Sequence, residues 1–345
     1  MKGLFMSDVI ISISQLKKLI RDKLCEFNMK PEDADVVSDV LSYADAIGVR
    51  SHGSIRVQHY CERIKAGGIN LNANPTFNFS KKNSVLIDAN GGMGHCIMKF
   101  AMDKSIEVAK NNSMVMVLIK NISHCGALSY YAKMALNNKL ISMILVNTDK
   151  CVVPFGGAEA YFGTNPICYG FPGKEKNILI DMATSEVALG KVLAARESNT
   201  KIPSSWGVDE NGVPTTDPYK VMYLSPMAAH KGTALASMVE GFTGLFTGAF
   251  GKRVNPMYDK LEQYRNIGTF ILLIDPDIFG NGEEYLSNTD MMINDIKSIK
   301  KSPLVDDIYY SGEIEANKYE DSLKNGICIY ENVYKFLINS KGETK

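Results

Sequence analysis

Apolar positions recur at helical spacing in the first part of the chain and give way to alternating helix-like and strand-like stretches in the middle. Leu16, Leu19, Ile20 and Leu24 follow the spacing i, i+3, i+4, i+8, which places them on one helix face, and Ser14 stands where a cap belongs. Pro31 suits the first turn of a second helix, with Glu32 and Asp33 at the end where the helix dipole favours negative charge. Val36, Val37, Val40, Leu41 and Ala44 carry that helix towards Gly48, and a third is predicted over residues 54–66, stopped by Gly67-Gly68. Short strand-like runs follow at 76–79 and 84–88.

Over residues 94–147 the pattern runs helix, strand, loop, helix, strand. Residues 114–119 form an unbroken apolar run that reads as a buried strand, 127–136 space their apolar side chains as a helix, and 140–146 read as a second strand. Such alternation predicts an α/β layer. Further strands are predicted at 178–180 and 269–274. A helix between them carries Lys191 and Arg196, and a long, nearly uncharged one over about 233–246 is opened by His230-Lys231-Gly232. Residues 288–337 read as helices, with turns near Ser302-Pro303 and Asn325-Gly326.

The loop between the two central strands, Asn121-Ile122-Ser123-His124-Cys125-Gly126, joins a strand to a helix, the place where α/β enzymes concentrate their chemistry. His124 is one of five histidines, and its near-neutral ordinary pKa suits proton transfer; the alternative is a histidine that caps or fills a turn. His52, Arg56 and Tyr60 are spaced four apart, so on a helix they share one side. There Arg56 would take a carboxylate in a two-pronged contact, with His52 and Tyr60 adding hydrogen bonds; the bland alternative is a solvated polar face. A Cys125–His124 nucleophile pair would make the chain a thiol hydrolase, but such pairs are assembled from distant positions rather than neighbours. No metal-ligand spacing occurs, and Gly91-Gly92-Met93-Gly94 does not complete the dinucleotide fingerprint G-x-G-x-x-G.

Composition narrows the class. The 345 residues suffice for about two domains or one large α/β domain, and 45% hydrophobic with 22% charged residues is an ordinary globular balance. Lys+Arg and Asp+Glu are both 38, and no basic run appears, which argues against nucleic acid as a partner. No segment reaches the apolar length of a membrane span, and the start lacks the features of a signal peptide. Seven scattered cysteines without a C-x-x-C pair suggest a reducing compartment. The expectation is a cytoplasmic protein with no membrane partner.

Several motifs then point to one family. Gly48-Val49-Arg50-Ser51-His52-Gly53 with Arg56 and Lys65-Ala66-Gly67-Gly68 resembles a signature of the type-2 malate/L-lactate dehydrogenase family. So do Ser123-His124-x-Gly126, Gly163-Thr164-Asn165-Pro166, Asp181-Met182-Ala183-Thr184-Ser185 with Gly190-Lys191, Pro214-Thr215-Thr216-Asp217-Pro218, and His230-Lys231-Gly232, in order over roughly residues 12 to 280. Tyr43-Ala44-Asp45-Ala46, residues 153–159 and Met257-Tyr258-Asp259 look like one branch of it. The resemblance implies a non-Rossmann α/β fold that binds nicotinamide dinucleotide without the glycine fingerprint, with NAD expected and NADP not excluded. It implies a homodimer acting on a small 2-hydroxy acid, with His124 as the acid/base and His52, Arg56 and Tyr60 holding the substrate. Thr148, Asp181, Met182, Ala183, Thr184 and Lys231 fall where relatives contact the cofactor, and no metal is implied.

On this likeness residues 1–75 form a helical part that builds a scaffold with the C-terminal helices. Residues 76–270 form the α/β cofactor-binding and catalytic region, and 271–345 a C-terminal strand and helices. Two features depart from the family. Thr233 stands where relatives generally carry an aromatic residue, and Met227-Ala228-Ala229 replaces a glycine-rich run. The first eight or so residues look extra, with Met6 a second candidate start.

Overall fold

The computed structural model describes residues 8–339, so Met6 lies outside it. The chain begins with β1 (Asp8–Ile11), α1 (Ile13–Glu26) and α2 (Pro31–Ala46), and after two 3₁₀ turns (Arg50–His52 and Ser54–Arg56) enters α3 (Val57–Ala66). The middle contains β2 (Asn78–Lys81), β3 (Ser84–Asp88), α4 (Gly94–Asn112), β4 (Met114–Ile122), α5 (Leu128–Leu136) and β5 (Ile141–Val146). Then come β6 (Ile167–Phe171), β7 (Ile178–Met182), α6 (Leu189–Glu197), the small pair β8 (Gly207–Val208) and β9 (Tyr223–Leu224), α7 (His230–Phe242) and α8 (Gly244–Thr247). The last part holds β10 (Ile267–Ile274), α9 (Gly282–Ser298), α10 (Glu313–Asn325), β11 (Ile327–Tyr330) and α11 (Glu331–Ile338).

The main sheet has seven strands in the order β2-β3-β4-β10-β5-β6-β7. The α/β layer is present, but the sheet is mixed: only β3 and β4 pair in parallel. The unit β4–α5–β5 does not place its strands side by side. β10 returns from far along the chain and lies antiparallel between them, and its uninterrupted apolar sequence suits a strand covered on both faces. The division expected after residue 270 therefore falls inside the central strand.

On one side of the sheet, Ile271 and Leu273 pack with Val115, Val117 and Ile119 of β4 against Met98, Ala101, Tyr131 and Ala135 of α4 and α5. On the other side Phe270 and Leu145 meet Val239 of α7. A separate core joins Leu16, Ile20, Leu24, Val37 and Leu41 to Ile327, Ile329, Val333 and Leu337, so the N-terminal helices are roofed by the C-terminal strand and helix. β1 and β11 form that join as an antiparallel pair; periodicity missed both because four residues carry too little pattern.

Local signals were read well where they are strong. Pro31 is at the first turn of α2, and Gly67 ends α3 in the left-handed conformation at φ 86°. The cap of α1 is Ser12 rather than Ser14: its hydroxyl accepts from the Gln15 N–H while the Gln15 side chain reaches back to the Ser12 backbone. The third helix starts later than its spacing suggested. His52 and Arg56 sit on the two 3₁₀ turns ahead of α3, so only Tyr60 projects from the α-helix proper.

Candidate active site

Three segments converge on His124. The first is the turn pair before α3, locked from below by Asp45. Its buried carboxylate accepts the Ser54 N–H at 2.8 Å, and a Cβ on Gly53 would lie 1.9 Å from the same carboxylate, so this approach requires glycine. Burial pushes the Asp45 carboxyl up to about 6, and the Ser54 hydrogen bonds oppose that rise.

The second segment is the loop after β4. Tyr60 on α3 places its hydroxyl 2.7 Å from Nδ1 of His124, and the Gly126 N–H reaches the same nitrogen at 3.3 Å. A phenol can donate to Nδ1 or accept from it. Donating, it joins the Gly126 N–H on an unprotonated Nδ1 and selects the tautomer with its proton on Nε2; accepting, it leaves Nε2 free to take a proton, and the long Gly126 contact is then given up. The His52 ring stacks on His124 with centroids 5.5 Å apart, and the buried His95 ring lies 6.5 Å away. Burial, then the neighbouring His52, Arg56 and His95, hold His124 well below the usual histidine range, and burial with Arg56 lowers His52 to about 4. At pH 7 both rings are neutral, the state a proton acceptor needs.

The third segment is the loop before β10. Arg56 donates from Nε to the Ser51 carbonyl at 2.6 Å and from Nη1 to the Tyr258 hydroxyl. The loop is tied down by two buried arginines. Arg63 donates to the Met257 carbonyl at 3.0 Å and to the Gln263 carbonyl. Arg265 donates to the Asn255 carbonyl at 2.8 Å and pairs with Asp149, which also accepts the Met257 N–H at 3.1 Å. Asp149, Arg63, Arg265 and Tyr258 were not singled out from the sequence as site residues. Their partners are up to 202 positions away, and no spacing rule connects such pairs.

The structure thus groups His52, Arg56, Tyr60 and His124, but with divided duties: Tyr60 faces the histidine, and Arg56 faces Tyr258. Cys125 beside His124 is buried, and burial pushes its thiol up to about 12, which makes it a poor nucleophile. No cluster of metal-ligating groups occurs among the described residues.

The second set of expected residues lies after β5, at the end of β7 and at the start of α7. Thr148 follows β5, with its N–H on the Asn165 side chain at 3.0 Å and its hydroxyl accepting the Thr164 N–H at 3.0 Å. A Cβ on Gly163 would fall 2.0 Å from that hydroxyl, which explains the glycine of Gly163-Thr164-Asn165-Pro166. Thr184 is buried and bonds to the Thr164 carbonyl, and its own carbonyl accepts the Met227 N–H at 2.9 Å. Thr148, Thr184 and the entry to α7 are therefore linked. Ala183 adjoins them, Met182 is exposed, and the Asp181 carboxylate takes the Ser129 N–H of α5 at 2.7 Å. Behind them, buried Glu240 accepts from Asn147 at 2.9 Å and from Asn165 at 3.2 Å, and Asn147 in turn accepts the N–H of Gly268, where the ladder between β10 and β4 slips.

The two departures at α7 acquire a local account. Thr233 accepts the Phe155 N–H at 2.8 Å, and the Phe155 ring meets His230 at 6.0 Å, so an aromatic side chain reaches the helix entry from another loop. Ala228 and Ala229 keep positive φ values of 44° and 57°, and Ala229, with ψ −121°, lies outside the left-handed helical region as well, a strain of about 1–3 kcal/mol for a residue with a Cβ. Glycine there gives back about 0.5–1 kcal/mol in lost chain entropy. Ala229→Gly is accordingly expected to raise stability by about 0.5–1 kcal/mol; a thermal melt with an unchanged or lower midpoint would contradict the strain.

A neutral histidine backed by a phenol, next to an arginine, can move a proton on an anionic molecule, and the comparisons supply the class of reaction. A family model described as malate/L-lactate dehydrogenase matches residues 11–338. The chain is 39% identical to the ureidoglycolate dehydrogenase (NAD(+)) of Escherichia coli K12, covering 97% of this chain and 98% of that protein. The solved structure of sulfolactate dehydrogenase from Methanocaldococcus jannaschii superposes with a TM-score of 0.89 at 33% identity, over 95% of both chains. Malate dehydrogenase from Pyrococcus horikoshii OT3 superposes at 0.86 and 31% identity, over 95% of this chain and 93% of that one. The chain belongs to the malate/L-lactate dehydrogenase family. It is an oxidoreductase, a 2-hydroxy-acid dehydrogenase with the α/β fold of that family.

Proposed function

We propose that the chain oxidises (S)-ureidoglycolate to oxalurate with NAD, in the breakdown of allantoin, as a cytoplasmic homodimer. The observation that carries this reading is the neutral His124 beside Arg56, within a chain similar over nearly its whole length to an NAD-dependent ureidoglycolate dehydrogenase. Ureidoglycolate is a 2-hydroxy acid, and its oxidation removes one hydride from the hydroxyl-bearing carbon and one proton from the hydroxyl.

Arg56 holds the carboxylate, with His52 beside it, and so fixes which face of the carbon is presented. His124 takes the hydroxyl proton on Nε2, and Tyr60 accepts from Nδ1 and steadies the ring as it becomes charged. Partial burial keeps competing water low. A bound nicotinamide dinucleotide would supply the hydride acceptor.

The chemistry of the second set fits that cofactor. Lys231 is exposed in the first turn of α7 and has no ion pair among the described residues, and a helix start with a free ammonium suits a pyrophosphate. Thr148, Asp181, Met182, Ala183 and Thr184 are assigned to the same cofactor, supported by the hydrogen bonds that tie Thr148, Thr164 and Thr184 to the entry of α7. Exposed apolar residues on α7 and α8, Phe242, Leu245 and Phe246, support burial against a second copy. No helix among the described residues is long and apolar enough to cross a membrane.

A second reading is favoured by the other relatives: malate, L-lactate or sulfolactate as substrate, at the same site and by the same chemistry. A panel of these acids and ureidoglycolate, followed by NADH and NADPH absorbance, separates the two. Ureidoglycolate with NAD should give the highest kcat/KM by at least about tenfold, the worth of one well-placed hydrogen bond. A preference for malate would replace the substrate and leave the family standing.

A further inference from the structure

The geometry points to Tyr258 as a substrate-contacting residue that completes the carboxylate clamp with Arg56. This rests on the 2-hydroxy-acid reading above and adds to it a residue and a duty.

The Arg56 guanidinium has five N–H groups in a rigid fork. Nε is spent on the Ser51 carbonyl and Nη1 reaches the Tyr258 hydroxyl, whereas Nη2 has no partner among the described residues. The phenol oxygen accepts from Arg56, so its own proton faces elsewhere, and among the described residues no acceptor takes it. Two unspent donors, the Nη2 pair and the Tyr258 O–H, therefore belong to side chains already joined through Nη1. The two oxygens of a carboxylate can take one donor each. One would sit on Nη2, and the other would take a short O–H···O⁻ bond from Tyr258. The guanidinium also polarises the phenol and makes it a better donor.

Tyr258 is 58% exposed, which alone would describe an ordinary surface tyrosine. Its backbone is anything but free. Met257, immediately before it, has its carbonyl held by Arg63 and its N–H held by Asp149, itself paired to Arg265, whose side chain is 1% exposed. The Tyr258 ring leans on His59 of α3 with centroids 4.9 Å apart. Two buried arginines and a half-buried aspartate thus fix one segment whose tyrosine ring remains open to an incoming molecule. That is preorganisation, since binding then costs little side-chain ordering. It also accounts for Arg63 and Arg265, which take no part in the proton chemistry.

The test is Tyr258→Phe in the full-length protein, with wild type and variant assayed on ureidoglycolate and on a simple secondary alcohol that lacks the carboxylate. Losing one charge-assisted bond should raise KM for the acid about 10- to 100-fold, leave kcat within about threefold, and leave KM for NAD unchanged. On the carboxylate-free alcohol the two proteins should match. Tyr258→Leu should reproduce the KM effect and exclude a contribution from the ring. An unchanged or lower KM for the acid would overturn the assignment, the latter by showing that the phenol competes for Arg56. An equal loss on acid and alcohol would also overturn it, because the residue would then act on the site's shape. A wild type inactive on every 2-hydroxy acid would instead overturn the reading beneath it.

Discussion

Replacing His124 with alanine is expected to lower kcat about 10²–10⁴-fold while leaving the affinity for NAD unchanged, because positioned acid–base help is worth that much and the ring contacts no residue of the Thr148–Thr184–Lys231 set. The pH profile gives an independent check. His124 is held well below the ordinary histidine value by burial and by neighbouring His52 and Arg56. In the free enzyme it accepts a proton above its own depressed pKa and cannot below it. For oxidation, kcat/KM should thus stay level as pH falls through 6.5 and drop only in more acid solution. An acid limb centred near 6.5, or a His124→Ala variant with full turnover, would remove His124 from the proposed role. Tyr60 bears on the same profile. Without its hydroxyl, Nδ1 keeps only the long Gly126 contact at 3.3 Å, and the ring loses the partner that follows it between tautomers.

Arg56→Ala should cost about 2–4 kcal/mol of transition-state binding, or roughly 30- to 1,000-fold in kcat/KM, by removing the charged partner of a half-buried carboxylate. Most of the loss should fall on KM. Arg56→Lys should recover only part of it, since an ammonium restores charge without the fork. It should also break the contact to Tyr258, so the effects of Arg56→Lys and Tyr258→Phe should be less than additive. Lysine matching arginine in kcat/KM would mean that the site needs a positive charge there and no particular geometry.

The legible parts of the site are those held by contiguous chain. Ser51-His52-Gly53 was legible as part of a family motif, and the structure gives its glycine a cause, the Asp45 carboxylate that a Cβ would strike. His124 was readable because a strand ran into it and a helix ran out. The spacing argument for His52, Arg56 and Tyr60 put together residues that do lie together, but through the wrong local geometry. A helix would have set all three on one side. The 3₁₀ turns instead send Arg56 towards the β10 loop and leave Tyr60 to meet His124 from α3. Thr233 was legible only as a departure from the family, whereas the structure shows it accepting the N–H of Phe155, 78 residues earlier, a partner no local pattern announces.

By itself the sequence determined the kinds of element, the helix ends marked by Pro31 and Gly67, the loop that carries His124, and, through ordered motifs, the family. These are local properties: periodicity, backbone freedom and residue chemistry act within a few positions of one another. Tertiary structure alone decided that β10 would part β4 from β5, that Arg63, Asp149 and Arg265 would anchor the Tyr258 loop, and that Tyr60 would turn to the histidine. Those outcomes depend on which surfaces bury best against each other across hundreds of residues. Hydrophobic burial is non-directional, so an apolar run such as that of β10 announces that it will be covered and leaves its neighbours to the packing of the whole chain.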